Sequence, residues 1–175
     1  MCKLADFWEL PQVARCLLGN IILTLKHKTM GSREIDGIIQ WHSDFETGIA
    51  RIDFEHKIFI ELLNSFKYEI NLKRSDDELF RIMNEIEKYA EFHFISEENA
   101  MRRMNYPAFK EHQIEHFELL EKFNLAKFKN CNFEGFHEFL KEWFLRHTVE
   151  SDTKLKLYML ENNINLEDFF YELKI

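Results

Sequence analysis

Glycine and proline are scarce in this sequence, with 5 and 2 residues among 175. Turn-rich β architectures use both residues at their tight connections, so this scarcity favours a helical fold. Cysteine is also sparse: there are 3, and none of them forms a CxxC pair. An odd number of scattered cysteines argues against a disulfide framework and predicts reduced thiols in a reducing compartment.

Long apolar runs are missing as well. The longest, from Cys16 to Leu25, is interrupted by Gly19 and falls short of the roughly 20 residues that a membrane-spanning helix needs. It has the length of a signal-peptide core, but acidic Asp6 and Glu9 precede it and no small-residue cleavage pattern follows. We therefore predict a cytoplasmic protein that does not contact a membrane.

Positive charge is in deficit, and the net charge is −8. Binding to a nucleic-acid backbone needs clustered Lys and Arg, so we predict no nucleic-acid partner. The sequence is rich in apolar residues (46%) and charged residues (31%), and it contains 18 phenylalanines. This composition and length are typical of one globular domain with a substantial buried core.

The first 40 residues differ from the rest, since they hold three of the 5 glycines and one of the 2 prolines. We therefore predict an N-terminal extension over residues 1–40 and one domain over residues 41–175. The extension could be a docking segment built on its apolar stretch. It could equally be upstream sequence, with Met30 as the start of the protein. The sequence does not distinguish these two interpretations.

From Ile52 onward, apolar residues recur at steps of three and four, the period of an amphipathic helix. Ser75 followed by Glu78 is a capping-box signature, and the segment NYP at residues 105–107 predicts a helix end followed by a new helix. The predicted helices are Ile52–Ile70, Asp76–Met104, Pro107–Phe128 and Phe133–Leu160, with a short terminal helix after Asn165. We predict an all-α, antiparallel up-down four-helix bundle, whose core can host a cofactor.

Histidines and carboxylates recur at helical spacing along these predicted helices. His93 and Glu97 stand four residues apart, as do His112 and His116, so each pair projects from one helix face. Each pair is weak by itself, because charged helix faces often produce such spacings. The two pairs indicate a metal site only if the other predicted helices carry further candidate ligands.

The fourth predicted helix carries His147 and Asp152, five residues apart. Five steps of about 100° leave these side chains about 140° apart, so they share a face only if the helix loosens or ends there. His56 lies in the apolar stripe of the first predicted helix. One set of candidates on each helix, beside large apolar residues, is difficult to explain by chance and predicts a metal site.

The candidate ligands are five histidines and two carboxylates: His56, His93, Glu97, His112, His116, His147 and Asp152. Seven ligands are too many for one tetrahedral zinc. They suit two adjacent iron ions if each carboxylate bridges both, because imidazole and bridging carboxylate are both good ligands for iron. Two ferrous ions, two carboxylates and one hydroxide leave a small positive charge, which an apolar core can tolerate.

These residues resemble the hemerythrin family, and in particular the bacterial hemerythrins, over about residues 41–152. Trp41 and the segment GIARIDFEH are similar to the start of the family's motif set, and YAEFHFISEENAMRRMNYP resembles its HFxxEE and GYP segment. HQIEH supplies paired histidines, and LKEWFLRHTVESD resembles the WLxxHxxxxD ending. The order and spacing of all seven candidate ligands fit the family pattern.

The resemblance implies a role for each candidate ligand. His112, His116 and His147 would bind a coordinatively saturated iron, and His56 and His93 a second iron with one position open for O2. Glu97 and Asp152 would bridge the two ions alongside a hydroxide. Such a centre needs an apolar wall against water. The candidates are Trp143 and Phe59, with Phe94 as a third for which ordinary core packing is the preferred interpretation.

The sequence departs from the family pattern at three positions. Asn105 replaces the usual Gly before Tyr-Pro, a mild change given the backbone tolerance of Asn. Glu55 stands where Gln is common, and Thr148 stands where Ile is usual. The Thr148 hydroxyl could admit a water, so we expect faster autoxidation than in relatives with Ile. The remaining histidines lie outside the pattern and are expected to be solvent-exposed: His27, His42 and His137.

The leading functional prediction is reversible O2 binding at a non-haem di-iron centre, for O2 supply, storage or protection. An alternative is an O2 or redox sensor that signals to a protein partner, whose identity the sequence does not reveal. A di-iron oxidase or peroxidase is less favoured, because such sites use two ExxH motifs with added glutamates. The chain has one ExxH, from Glu134 to His137, away from the other candidates. We therefore predict a protein that is not an enzyme.

Overall fold

The computed structural model describes residues 34–35, 37–128 and 132–164. They fall into two units, one ending at Gln40 and the other beginning at Trp41. In the first unit, strands β1 (Glu34–Ile35) and β2 (Ile38–Ile39) pair antiparallel, a feature that the sequence patterns did not predict. The apolar stretch Cys16–Leu25, His27 and the terminal helix expected after Asn165 lie outside the described residues.

The second unit is helical, which confirms the all-α, four-helix bundle prediction. After a 3₁₀ turn (Ser43–Phe45) it contains α1 (Ala50–Asn71), α2 (Asp76–Arg103), α3 (Phe109–Phe128), α4 (Phe133–His147), a π-helical turn (Thr148–Asp152) and α5 (Thr153–Glu161). The last three segments follow one another without a break and together form the fourth helix of the bundle. Among the described residues, no helix combines the length and the apolarity that crossing a membrane requires.

Cap residues fix the helix ends close to the predicted positions. The Ser75 side chain accepts a hydrogen bond from the Glu78 amide, and the Glu78 side chain accepts one from the Ser75 amide, which completes the predicted capping box. Asn105 takes the left-handed conformation (φ +52°) after α2. The next helix begins at Phe109 instead of Pro107, because the Phe109 amide first closes a turn onto the Tyr106 carbonyl (3.1 Å).

Two apolar clusters occupy the bundle on either side of the candidate ligands. One contains residues from the start of α1, the end of α2 and α5: Ile49, Ile52, Ala100, Met101, Met104, Tyr106, Leu155 and Met159. The other includes Phe66, Phe123 and Phe136, whose rings meet edge to face. The candidate ligands lie between these clusters along every helix, so packed apolar layers separate them from both ends of the bundle.

The expected exposure of His137 is wrong. This residue is 0% exposed and its ring centroid lies 6.2 Å from that of Phe66. His137, Leu140, Phe144 and His147 follow one another at steps of three and four, which places His137 on the buried face of α4. His42 is half-buried instead, and its Nδ1 accepts a hydrogen bond from the Asp44 amide at the start of the 3₁₀ turn.

Candidate metal centre

All seven candidate ligands are buried in the bundle, with exposed fractions of 5% or less. Apolar packing does not explain this, because buried histidines and carboxylates normally need hydrogen-bond or charge partners. The structure brings their side chains to the same level of four helices: His56 on α1, His93 and Glu97 on α2, His112 and His116 on α3, and His147 and Asp152 on the α4–π segment.

Three histidines surround the Glu97 carboxylate. Ligand atoms of Glu97, His112, His116 and His147 all lie within 4.8 Å of one another. Glu97 Oε2 is 3.2 Å from Nε2 of both His112 and His116. Nε2 of His116 is 3.1 Å from Nε2 of His147. Imidazole nitrogens and a carboxylate oxygen at such separations form a donor set that could hold a metal ion.

Asp152 lies between this cluster and a second group of histidines. Its Oδ1 is 3.4 Å from Nε2 of His112 and 3.3 Å from Nε2 of His147, whereas Oδ2 is 3.4 Å from Nε2 of His56. His93 belongs to the second group, since its ring centroid is 4.9 Å from that of His56. The two oxygens of one carboxylate therefore face different histidine groups.

The π-helical turn explains how His147 and Asp152 face the same site. A π-helix bonds i to i+5, so residues five apart lie nearly above one another, which an α-helix does not allow. The turn covers Thr148–Asp152, the interval that separates the two candidate ligands. The loosening of the helix that the five-residue spacing requires is therefore present.

Oxygen atoms hold the outer nitrogens of four candidate histidines. The Nδ1 atoms contact the Phe45 carbonyl (His56, 2.8 Å), Glu55 (His93, 3.1 Å), Glu98 (His116, 3.2 Å) and Glu115 (His147, 3.1 Å). An acceptor at Nδ1 fixes the proton there, orients the ring and makes Nε2 a lone-pair donor. This arrangement is the one that metal-binding histidines adopt in proteins.

The inward-facing atoms lack such partners. Both carboxylate oxygens of Glu97 and of Asp152 are buried without a hydrogen bond, as are Nε2 of His56 and of His112. Leaving a buried polar atom unpaired costs about 1–3 kcal/mol, and more when the atom carries charge. Metal ions among these atoms would remove that cost, so the residues present fit a metal centre.

Contacts with the histidines shift the pKa values of carboxylates in and around the site. Burial raises the pKa of Glu97, but His112 and His116 outweigh it and hold that pKa well below its usual range. Glu115 behaves alike: burial opposes ionisation, yet its contacts with His147 lower its pKa to about 2. Burial lowers the pKa of His93, which favours the neutral imidazole that a metal requires. Glu97 and Glu115 are thus ionised at neutral pH.

Sequence reasoning missed most of the residues that orient the histidines. Glu98 is one of them, since its Oε1 lies 3.2 Å from Nδ1 of His116. Glu55 had been noted only as a departure, and Glu115 had not been singled out. The available signal was local: each glutamate is adjacent in sequence to a candidate ligand. In this structure each of the three glutamates contacts a histidine of the next helix.

Aromatic rings cover the His56 and His93 side of the site. Phe59 is stacked on Phe144 with centroids 5.1 Å apart, and it lies 5.5 Å from Trp143 and 6.3 Å from His93. Phe59 is 0% and Trp143 5% exposed, and Nε1 of Trp143 has no hydrogen-bond partner among the described residues. Phe94 does more than fill the core, because its ring is stacked on His116.

Comparison with known proteins agrees with this geometry. Residues 47–157, well over half of the chain, match the family model described as hemerythrin HHE cation binding domain. Bacteriohemerythrin from Clostridium acetobutylicum is 29% identical over 122 residues, which make up 64% of this chain and 94% of that relative. All seven candidate ligands fall inside the matched residues.

Proposed function

This chain belongs to the hemerythrin family, and on that premise we propose that it binds O2 reversibly at a non-haem di-iron centre. His112, His116 and His147 would hold one iron, and His56 and His93 the other. Glu97 and Asp152 would bridge the two ions together with a hydroxide. Two ferrous ions held by these residues would supply the electrons for reversible O2 binding.

The observation that carries this proposal is the orientation of the donor atoms. Protein oxygens hold Nδ1 of four histidines, and Nε2 of three of these, His56, His116 and His147, meets the Glu97 or Asp152 carboxylate. Both carboxylates lack hydrogen-bond partners among the described residues. The Asp152 carboxylate, with one oxygen toward each histidine group, supports a pair of ions over a single one.

The surrounding residues support binding of O2 without further chemistry on it. Phe59, Trp143 and Phe144 exclude water from the side where two histidines would leave a position open. The single ExxH pair supplies nothing to the site, since Glu134 pairs with Lys67 and His137 packs near Phe66. An enzymatic oxidase would need such carboxylates beside the metal. Sensing of O2 for a partner protein would use the same site, and no feature of the described residues singles out that partner.

The test is the metal content and optical spectrum of the protein purified without O2. We expect two irons per chain and a visible charge-transfer band that appears in air and disappears under vacuum. His116→Ala should lose iron and the band, whereas His42→Ala, which changes a half-buried histidine outside the site, should keep both. Copurification of one zinc, or a band that persists under vacuum, would contradict the proposal.

A further inference from the structure

A small cleft reaches the candidate metal centre from solvent on the α3 side. Its volume is about 90 Å³, and its wall consists of Tyr106, Ala108, Glu111, His112, Glu115, Ser151 and Lys154. Glu111 and Lys154 are exposed, whereas His112 and Ser151 are each 5% exposed. The lining thus passes from surface residues to a candidate ligand. The space exceeds the roughly 10–15 Å³ that one water molecule requires.

His112 differs from the other candidate ligands at this cleft. Its Nε2 points to Glu97 and Asp152, at 3.2 and 3.4 Å, and is buried without a hydrogen bond. Its Nδ1 has no hydrogen-bond partner among the described residues, whereas an oxygen atom holds Nδ1 of each of the other four histidines. The ring of His112 is therefore the least constrained of the five, and it forms part of the cleft wall.

We propose that this cleft is the route by which hydrated Fe²⁺ enters and leaves the site, with His112 as the first ligand it meets. The proposal rests on the proposed function, since it assumes that the seven residues bind metal. The cleft reaches the half of the site formed by His112, His116 and His147. The aromatic rings of Phe59, Trp143 and Phe144 close the His56 and His93 half, where a hydrated cation would have to shed its water against apolar surface.

The charges at the mouth suit a cation that passes through without staying. Glu111 attracts it from solvent, and Lys154 opposes it. The Glu115 side chain is 39% exposed, but its carboxylate is already engaged by His147 Nδ1 (3.1 Å) and by the Ser151 hydroxyl (2.8 Å). Glu111 and Lys154 then oppose each other, which does not make a tight cation site. His112 is the candidate ligand in the cleft wall, and the carboxylates of Glu97 and Asp152 lie beyond it, 3.2 and 3.4 Å from its Nε2.

The test is the rate of Fe²⁺ uptake, without O2, by the full chain after its metal has been removed. At low ionic strength, Glu111→Gln should slow uptake by about two- to fivefold and Lys154→Gln should accelerate it by a similar factor, because each changes one charge beside the path. Both effects should diminish at high salt. Glu118→Gln and Lys122→Gln alter an exposed ion pair further along α3 and should leave the rate unchanged.

A neutral obstruction provides a second measurement. Ala108→Phe fills the cleft without changing charge, so it should slow uptake and also slow release of iron from the loaded protein to a chelator. Circular dichroism establishes that each variant keeps its helices. The final iron content should equal that of the unsubstituted chain in every variant.

The two proposals fail differently in this experiment. Normal final iron content, with rates that Glu111→Gln, Lys154→Gln and Ala108→Phe leave unchanged, would overturn the entry route and leave the metal centre intact. Uptake that responds equally to the Glu118 and Lys122 controls would also overturn it, since the effect would then come from overall charge. An unsubstituted chain that takes up no iron would overturn both.

Discussion

Phe94 lies face to face with His116, with ring centroids 3.9 Å apart and ring planes 10° apart. The same ring is 5.7 Å from Trp143, His93 and His147, so one phenylalanine contacts three candidate ligands and the aromatic wall. His116 is consequently held on three sides: by Glu98 at Nδ1, by the face of Phe94, and by its neighbours at Nε2. The position of this ring depends on packing as well as on hydrogen bonding.

Truncation of Phe94 should therefore be costly. Phe94→Ala removes a side chain that is 3% exposed, and we expect it to lower the free energy of unfolding by about 3–5 kcal/mol, the usual cost of a buried Phe→Ala change. Phe92→Ala, on the same helix but 48% exposed, is the matched control and should cost about 1 kcal/mol or less. Urea unfolding of both variants measures the difference, and similar losses would show that Phe94 is not part of the packed core.

Glu115 should control metal affinity without touching the metal. Glu115→Ala removes the acceptor of His147 Nδ1 and of the Ser151 hydroxyl, so we expect affinity for Fe²⁺ to fall by about 10- to 100-fold. Competition with a chelator measures this change. Glu115→Gln keeps an oxygen acceptor and should recover part of the loss, while Glu118→Ala should have no effect. Equal affinities for the Ala and Gln variants would exclude an orienting role.

Removal of the Thr148 hydroxyl should stabilise the fold. Its side chain is 2% exposed and its hydroxyl has no hydrogen-bond partner among the described residues. Thr148→Val replaces the hydroxyl by a methyl group of similar size, and we expect about 1 kcal/mol of stabilisation in thermal or urea unfolding. If the proposed O2 binding is correct, autoxidation should also slow, because no hydroxyl remains to hold a water. A less stable variant would indicate that the hydroxyl has a partner in solution.

Glu138 should make stability depend on acidity at the end of the bundle away from the site. His137, at 3.6 Å, and Lys141, at 2.7 Å, lower the pKa of this carboxyl to about 2. The ionised form therefore stabilises the fold at pH values above about 4.5, and this contribution disappears as the pH falls toward about 2. The side chain is 45% exposed, so solvent screening keeps the contribution to about 1 kcal/mol or less.

The check on Glu138 is the pH profile of unfolding for Glu138→Gln. This variant should be less stable than the unsubstituted chain at neutral pH, and the difference should vanish by about pH 2. Glu142→Gln, one turn further along α4 at an exposed position, serves as the control. A constant difference at every pH would mean that packing, not charge, produces the effect.

Local signals in the sequence were sufficient for much of the fold. The Ser75–Glu78 capping box and the NYP turn placed the helix ends within two residues, because these signals act through contacts between near neighbours. The spacing of His93 with Glu97 and of His112 with His116 was enough to place each pair on one face. Such contacts are specified by helix geometry alone.

Contacts between helices were not predictable in the same way. The oxygens that hold His93, His116 and His147 are separated from them by 38, 18 and 32 residues, respectively. Which glutamate meets which ring depends on how the helices rotate against one another, and no spacing within one helix contains that information. The burial of His137 was predictable from the sequence, because His137, Leu140 and Phe144 stand at steps of three and four on one face of α4.

The π-helical turn inserts one extra residue into the three-and-four spacing of the inward-facing positions of the fourth helix. Along this helix, the inward positions are Phe136, Leu140, Trp143, His147, Asp152, Leu155 and Met159, so their steps run four, three, four, five, three and four. If the helix were regular α-helix throughout, the residues after the step of five would face away from the core. The wider turn absorbs one residue, and Leu155 and Met159 return to the apolar cluster as if that residue were not there. A step of five among apolar and ligand positions that otherwise step by three and four thus marks the position of a candidate ligand. This step can be recognised from the sequence alone.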